Sequence, residues 1–208
     1  MKLIDPYIEI MSPIDGQAIM KLLELAGRTC YKSEDLIKTD SCDRFVGAIL
    51  SKHHESVIEH ASITVKFIGS RAMSHQLVRH RIASYSQESQ RYCNYTRDKF
   101  GGDIIFIKPR KYDGWSTDTQ EVFDDALSVA ESNYNYLVQD CKLQPQDARD
   151  VLPNACKTEV VVTMNLRSWR HFFKMRTDKH AQDEIRYLAN LVLTEFKKEL
   201  PVIFGDIL

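Results

Sequence analysis

In the stretch SITVKFIGS, Ile63, Val65 and Phe67 alternate with Thr64 and Lys66. A period of two puts the apolar set on one face of a strand, so this chain must bury one side of a sheet. A second β-branched run, TEVVVTMNL, predicts another strand far downstream, and GGDIIFIKP a short one entered by a glycine pair and closed by Pro109. Everywhere else the apolar spacing is helical. From about Gln17, the side chains of Ile19, Leu22, Leu23 and Ala26 form one stripe. CDRFVGAILSKHH predicts a helix with Phe45, Ala48 and Ile49 inward, and RAMSHQLVRHR returns to helical spacing. The segment 119–141 predicts a long amphipathic helix. LQPQDARDVLP predicts a short one, with Pro145 near its start and Pro153 after its end. RSWRHFFKMRTDK and AQDEIRYLANLVLTEFKKEL close the chain as two more. Strands and helices do not alternate regularly, which points to α+β rather than a doubly wound sheet. No repeat, low-complexity tract or Pro/Gly/Ser linker interrupts the chain, so 1–208 is read as a single domain.

With 208 residues, 43% of them apolar and 27% charged, the chain can bury a sizeable core without staples. Its formal charge is −1. A nucleic-acid coat protein would be far more basic. Five widely spaced cysteines without a CxxC fit reduced thiols better than a disulfide framework or a zinc site. The N-terminus MKLIDPYIEIMSPIDG has acidic residues and prolines where a signal peptide would be apolar, and no apolar run is long enough to span a bilayer. The cytoplasm is the expected location.

No GxxxxGK[ST] loop, GxGxxG turn or GxSxG elbow occurs. Any anion chemistry must use another device, and RHRIASYSQESQRY offers one. If the preceding helix runs through, Ala72, Gln76 and Arg79 share one face and Met73, Leu77 and His80 the neighbouring one. Gln76 and Arg79 then reach the same ligand. IASYSQES reads as a hydroxyl-rich loop, followed by the forked donor Arg91. Three readings remain open on these residues. One is a solvated turn with arginines near a helix C-terminus. Another is a single-strand surface built from Arg79, Arg81, Arg91 and Arg97 with Tyr85, Tyr92 and Tyr95 interleaved. The third is an anion-binding site. The near-neutral charge and the lack of an RRM, KH or zinc-knuckle signature count against nucleic acid.

Downstream, Trp169, Phe172, Phe173 and Arg176 fall at i, i+3, i+4 and i+7. Arg176 therefore sits on an apolar face, where it must snorkel out or find a partner. Arg167 and His171 lie one turn apart on another face, and Arg149 precedes Asp150 in a position for a local ion pair. Five histidines crowd the first half, but HESVIEH is not HExxH, and no metal site is expected. No cysteine stands in a recognisable nucleophile setting.

These elements together resemble the flavin-dependent thymidylate synthases. The family signature is RHR, seven residues, then Ser; here Arg79, His80 and Arg81 are followed by seven residues and Ser89, within ESQRY. HESVIEH, DARDVLP, MNLRSWRHFFKMR and DKHAQDEI resemble the family's other elements, in order. The resemblance runs from about His54 to Ile185.

It implies a mostly antiparallel sheet flanked by helices, and a homotetramer with FAD at the subunit contacts. It also implies reductive methylation of dUMP to dTMP. Methylenetetrahydrofolate is the carbon donor and NADPH the reductant, with no cysteine nucleophile and no dinucleotide glycine turn. By the same resemblance Ser56, His54, Arg79, His80, Arg81, Gln87, Asn165, Arg167 and His171 contact the flavin. Gln76, Arg79, Gln87, Glu88, Ser89, Gln90, Arg91 and Arg149 hold dUMP. Arg176 matches the arginine that activates the uracil ring by stabilising charge at N3 and O4. Some members carry Asn-Glu where this chain has Ser86 and Gln87, and Asn is common where His171 stands. Both changes keep hydrogen-bonding capacity.

Overall fold

A computed structural model of the chain describes residues 1–97 and 102–207. In chain order its elements are β1 (Lys2–Ile4), β2 (Tyr7–Ile10), α1 (Gly16–Thr29), α2 (Cys42–Ser51), β3 (Ser62–Ser70), α3 (Arg71–Leu77) and β4 (Ser84–Gln87). There follow β5 (Ile105–Ile107), α4 (Thr117–Gln139), α5 (Pro145–Ala148), β6 (Lys157–Asn165), α6 (Leu166–Arg176), α7 (Asp183–Glu199) and α8 (Pro201–Phe204). Packing divides the chain into two compact units. The first comprises Met1–Tyr7, Phe67–Arg79 and Ser86–Val160; the second comprises Ile8–Lys66, His80–Tyr85 and Val161–Leu208.

The larger sheet has the order β2-β3-β6-β4. Leu166 N donates to the Ala61 carbonyl and, ten residues further along β3, Arg71 N donates to the Cys156 carbonyl. Thus β6 runs back as β3 advances, which is antiparallel pairing. The fold is the expected mixture of helices with an antiparallel sheet. An added feature is the parallel pair β1 and β5, with Lys2 opposite Ile105 and Ile4 opposite Ile107. Neither N-terminal strand is legible in the sequence, since three or four residues carry too little pattern. Gly102 of the expected glycine pair has φ 69°, while Gly101 lies outside the described residues.

Two strands pass into helices with no loop between them, β3 into α3 and β6 into α6. Each joint is closed by a polar cap. Ser70 Oγ accepts from Met73 N at 3.0 Å, and Asn165 Oδ1 from Ser168 N at 2.8 Å. These bonds satisfy donors that a helix start otherwise leaves open.

In the first unit Ile104, Phe106, Leu127, Tyr134, Ala148 and Cys156 form the buried centre. In the second, Trp169, Phe172, Phe173, Phe196 and Phe204 are fully buried. Their rings meet at centroid separations from 5.2 to 5.7 Å, mostly edge to face. The Trp169 indole N–H donates to the Ile63 carbonyl at 3.1 Å, tying α6 to β3.

Helix α1 buries Met20, Leu23, Glu24 and Gly27, while Leu22 stays exposed. The stripe expected through Ile19, Leu22 and Ala26 is therefore turned, and of its members only Leu23 is fully buried. Gly27 explains the rotation. A Cβ there would stand 2.6 Å from a Phe45 ring carbon, so α1 and α2 approach each other across the glycine. Helix α2 buries Cys42, Val46 and Ile49, leaving Ala48 exposed against expectation. Glu24 tolerates burial because Arg28 Nε donates to it at 2.7 Å and Ser41 Oγ at 2.8 Å.

The second unit also contains Arg170, 5% exposed. Its guanidinium donates to both oxygens of Asp206 at 2.7 Å and to the Ile203 carbonyl, fastening the C-terminal turn of the chain to α6. Hydrogen bonding from Arg170 holds the Asp206 carboxyl below its ordinary range. A carboxyl with a depressed folded-state pKa adds stability above the unfolded value and loses it as pH falls through the folded one. Asp206→Asn should therefore lose stability less steeply than the parent below about pH 4. Equal slopes in denaturant titrations across that range would contradict the linkage.

Candidate functional site

The sequence-predicted residues fall into both units. In the first unit, α3 is shorter than its spacing suggests. It ends at Leu77, where the Val78 N–H turns back to the Gln76 and Ser74 carbonyls. Arg79 and His80 thus lie beyond the helix, and the expected faces through them do not form. Gln76 is half-buried on the last turn. The segment expected as a loop supplies β4, paired to β6 at the edge of the sheet. Its serines conceal a strand, because side chains at a sheet edge need not be apolar.

Beyond Tyr85 the chain alternates. The Gln87 amide donates to Ser74 Oγ and to Thr158 Oγ1, both at 3.1 Å, so α3 and β6 fix its plane. Glu88 turns inward and accepts from Tyr95 Oη at 2.8 Å and Lys157 Nζ at 3.0 Å. Ser89 closes a turn, its carbonyl accepting from Tyr92 N and Cys93 N. Gln90 is buried, its amide donating to Cys156 Sγ at 3.5 Å. Arg91 stands in solvent with its guanidinium over the Tyr92 ring, 5.5 Å from the centroid. Gln87, Glu88 and Gln90 thus have partners inside the protein, while Arg91 stands in solvent. Arg149, in the turn after α5, donates to the Gln146 carbonyl at 3.1 Å and lies 4.0 Å from Asp150. That is the local pairing its sequence position suggests.

In the second unit, Arg176 ends α6 half-buried, and His80 is one partner it finds there. Arg176 Nε donates to His80 Nε2 at 2.9 Å. The His80 ring meets Phe172 at 5.0 Å and His171 at 5.9 Å, both edge to face. Its backbone carbonyl accepts from Tyr85 Oη at 2.6 Å. Burial above all, then the neighbouring Arg176 and His171, hold the His80 pKa down to about 4. The ring is therefore neutral at pH 7, with Nε2 as acceptor and the proton on Nδ1.

His54 and Ser56 are exposed at the start of a short 3₁₀ turn, Glu55–His60. Arg167 donates to Glu59 at 2.6 Å and lies 3.8 Å from Glu55. Asn165 caps α6, and His171 is exposed. Arg79, Arg81 and Arg91 are exposed and, unlike Arg28, Arg167 and Arg170, have no carboxylate partner among the described residues. That is the donor set a bound anion requires.

The sequence reading missed the residues that hold the candidates in place. Ser74, Thr158 and Tyr85 orient Gln87 and His80, and Glu55 serves both Arg167 and Arg170. Only Tyr85 sits inside the conspicuous stretch, and the others lie too far away in sequence to signal their role. Burial pushes the Cys156 thiol up to about 12 and also raises Cys93.

Residues 16–202 match the family model described as thymidylate synthase complementing protein. A flavin-dependent thymidylate synthase from Geobacter sulfurreducens is 43% identical over 192 residues, covering 88% of this chain and 79% of that protein. One from Clostridium tetani is 37% identical over 206 residues, with coverage of 88% and 80%. Among solved structures, a UMP/dUMP methylase from Streptomyces cacaoi bound with 5-Br dUMP superposes with a TM-score of 0.79 at 25% identity. That likeness covers 99% of this chain and 96% of the other.

Proposed function

The chain belongs to the flavin-dependent thymidylate synthases, and on that premise we propose that its solvent-facing arginines Arg79, Arg81 and Arg91 bind the anions of that chemistry, FAD and dUMP. The reaction is methylation of dUMP to dTMP. The family's usual carbon donor is methylenetetrahydrofolate and its usual reductant NADPH. Bound FAD supplies the redox chemistry, and the protein supplies orientation and charge.

The observation that carries the assignment is the solvent-facing set Arg79, Arg81 and Arg91, charged and without acidic partners among the described residues. Forked guanidiniums of this kind suit phosphate and diphosphate groups. Arg79 and Arg81 serve the flavin, together with His54, Ser56, His80, Asn165, Arg167 and His171. Arg91, Ser89 and Arg149 take the phosphate side of dUMP. Gln76 and Gln87 face its base and sugar, and Glu88 and Gln90 pin the turn that presents Ser89. Arg79 also borders the nucleotide. Arg176 stabilises negative charge developing on the uracil ring.

The proposal includes a homotetramer in the cytoplasm. Exposed apolar side chains such as Leu22, Leu25, Val122, Val129 and Tyr136 support an oligomer, since surfaces of this kind mark association sites. No helix of the described residues is long and apolar enough to cross a membrane.

The purified protein is expected to take up FAD with a shifted visible spectrum. It should form dTMP from dUMP at the expense of NADPH, and alkylation of its thiols should leave turnover intact. A colourless protein that ignores FAD but binds oligonucleotides in a salt-sensitive way would refute the proposal.

A further inference from the structure

We propose that His80 is the positioning residue for Arg176: its neutral imidazole accepts the Arg176 Nε–H and sets the plane and heading of the guanidinium. The inference rests on the assignment of Arg176 to the uracil ring. The Nε of arginine carries a single hydrogen lying in the guanidinium plane, so a fixed acceptor for it fixes the last rotation of the side chain. The acceptor here is fixed from several sides. The Tyr85 hydroxyl holds the His80 carbonyl at 2.6 Å, and the buried Phe172 ring and the His171 ring bracket the imidazole. Phe172 and His171 sit on α6 itself, so the helix that carries the arginine also carries the walls that orient its partner.

The chemistry of the acceptor matters. In the same unit Arg28, Arg167 and Arg170 are gripped by Glu24, Glu59 and Asp206, carboxylates that offset the charge they orient. The imidazole takes the Arg176 Nε–H at 2.9 Å as an uncharged acceptor. Only a neutral ring can serve, because a protonated one would have no lone pair at Nε2 and would repel the guanidinium. Burial keeps the ring in that state. The conspicuous triplet RHR then holds two kinds of residue. Its arginines face solvent, while its histidine turns toward another helix.

The test compares His80→Phe, which keeps a ring against Phe172 but removes the acceptor, with His80→Gln, which restores an uncharged one. In the FAD-loaded protein His80→Phe should lower kcat on the order of 10- to 100-fold, the effect of a misdirected catalytic group. That loss is read per bound flavin, and KM for dUMP should stay within about twofold, as for an interaction made in the transition state. His80→Gln should recover most of the loss. Adding His80→Phe to Arg176→Ala should slow turnover no further than Arg176→Ala alone. In the flavin-free, substrate-free protein, ¹⁵N NMR should show His80 protonated on Nδ1, with its Nε2 resonance shifted by Arg176→Ala. If His80→Phe sheds flavin while kcat per bound flavin is unchanged, His80 is a flavin contact only and the inference falls. Additive losses in the double variant overturn it as well. If Arg176→Ala turns over normally, it is the assignment of Arg176 that fails, and the inference falls with it. Slow Arg176→Ala beside normal His80→Phe removes the inference alone.

Discussion

Arg176→Ala should give a folded, yellow protein in which dTMP formation has fallen on the order of 10²- to 10³-fold, the usual result of deleting a preorganised charge at a reacting centre. Stability should change little. The side chain ends α6 and is only half-buried, so its removal opens no cavity in the aromatic core. What disappears is a positive charge in a partly desolvated place, where an interaction with a developing anion is worth far more than in water. Flavin content should hold, because the exposed Arg79 and Arg81 remain. Steady-state assays beside flavin absorbance check this. A variant that loses turnover only in proportion to lost flavin would show Arg176 to be a cofactor anchor instead.

Trp169→Ala should cost about 3–5 kcal/mol, the range for removing a fully buried large aromatic. Its indole touches Phe172, Phe173 and Phe196, and no partner ring can swing in to fill the space without leaving its own contacts. Trp169→Phe separates the two contributions. It retains most of the packing but strips the donor from the Ile63 carbonyl, a loss of about 1–3 kcal/mol where the acceptor stays buried. Denaturant unfolding followed by circular dichroism gives both values. Equal losses for the two variants would mean that the hydrogen bond, not the ring volume, ties α6 to β3.

Much of this architecture was legible because its signals are local. Alternation of Ile63, Val65 and Phe67 marks β3, and the four-residue rhythm of Trp169 and Phe173 marks α6 and sets Arg176 on a face where it needs a partner. What stayed hidden depends on contacts distant in sequence. Leu22 looks like a core residue until Gly27 lets α2 approach and turns α1. Serines disguise β4, whose place at the edge of the sheet is fixed by β6, far away in the chain. Helix α3 stops at Leu77 although the spacing continues to His80, because Val78 turns its N–H back to preceding carbonyls. The site follows the same division. Its charged residues announce themselves in RHRIASYSQESQRY, whereas Ser74, Thr158 and Tyr85, which hold Gln87 and His80, carry no mark of that work.

The loopless joints at Ser70 and Asn165 leave the molecule without slack at two places. An α-helix advances about 100° per residue. One residue gained or lost at the β6–α6 joint would swing Trp169 out of the core and carry Arg176 away from His80 in the same movement. Changes of chain length at these joints would be lethal to fold and chemistry together, whereas point substitutions at Ser70 that keep a cap would spare both. Length variation among relatives should therefore collect elsewhere. A designer grafting new segments onto this scaffold should treat both joints as closed to insertion.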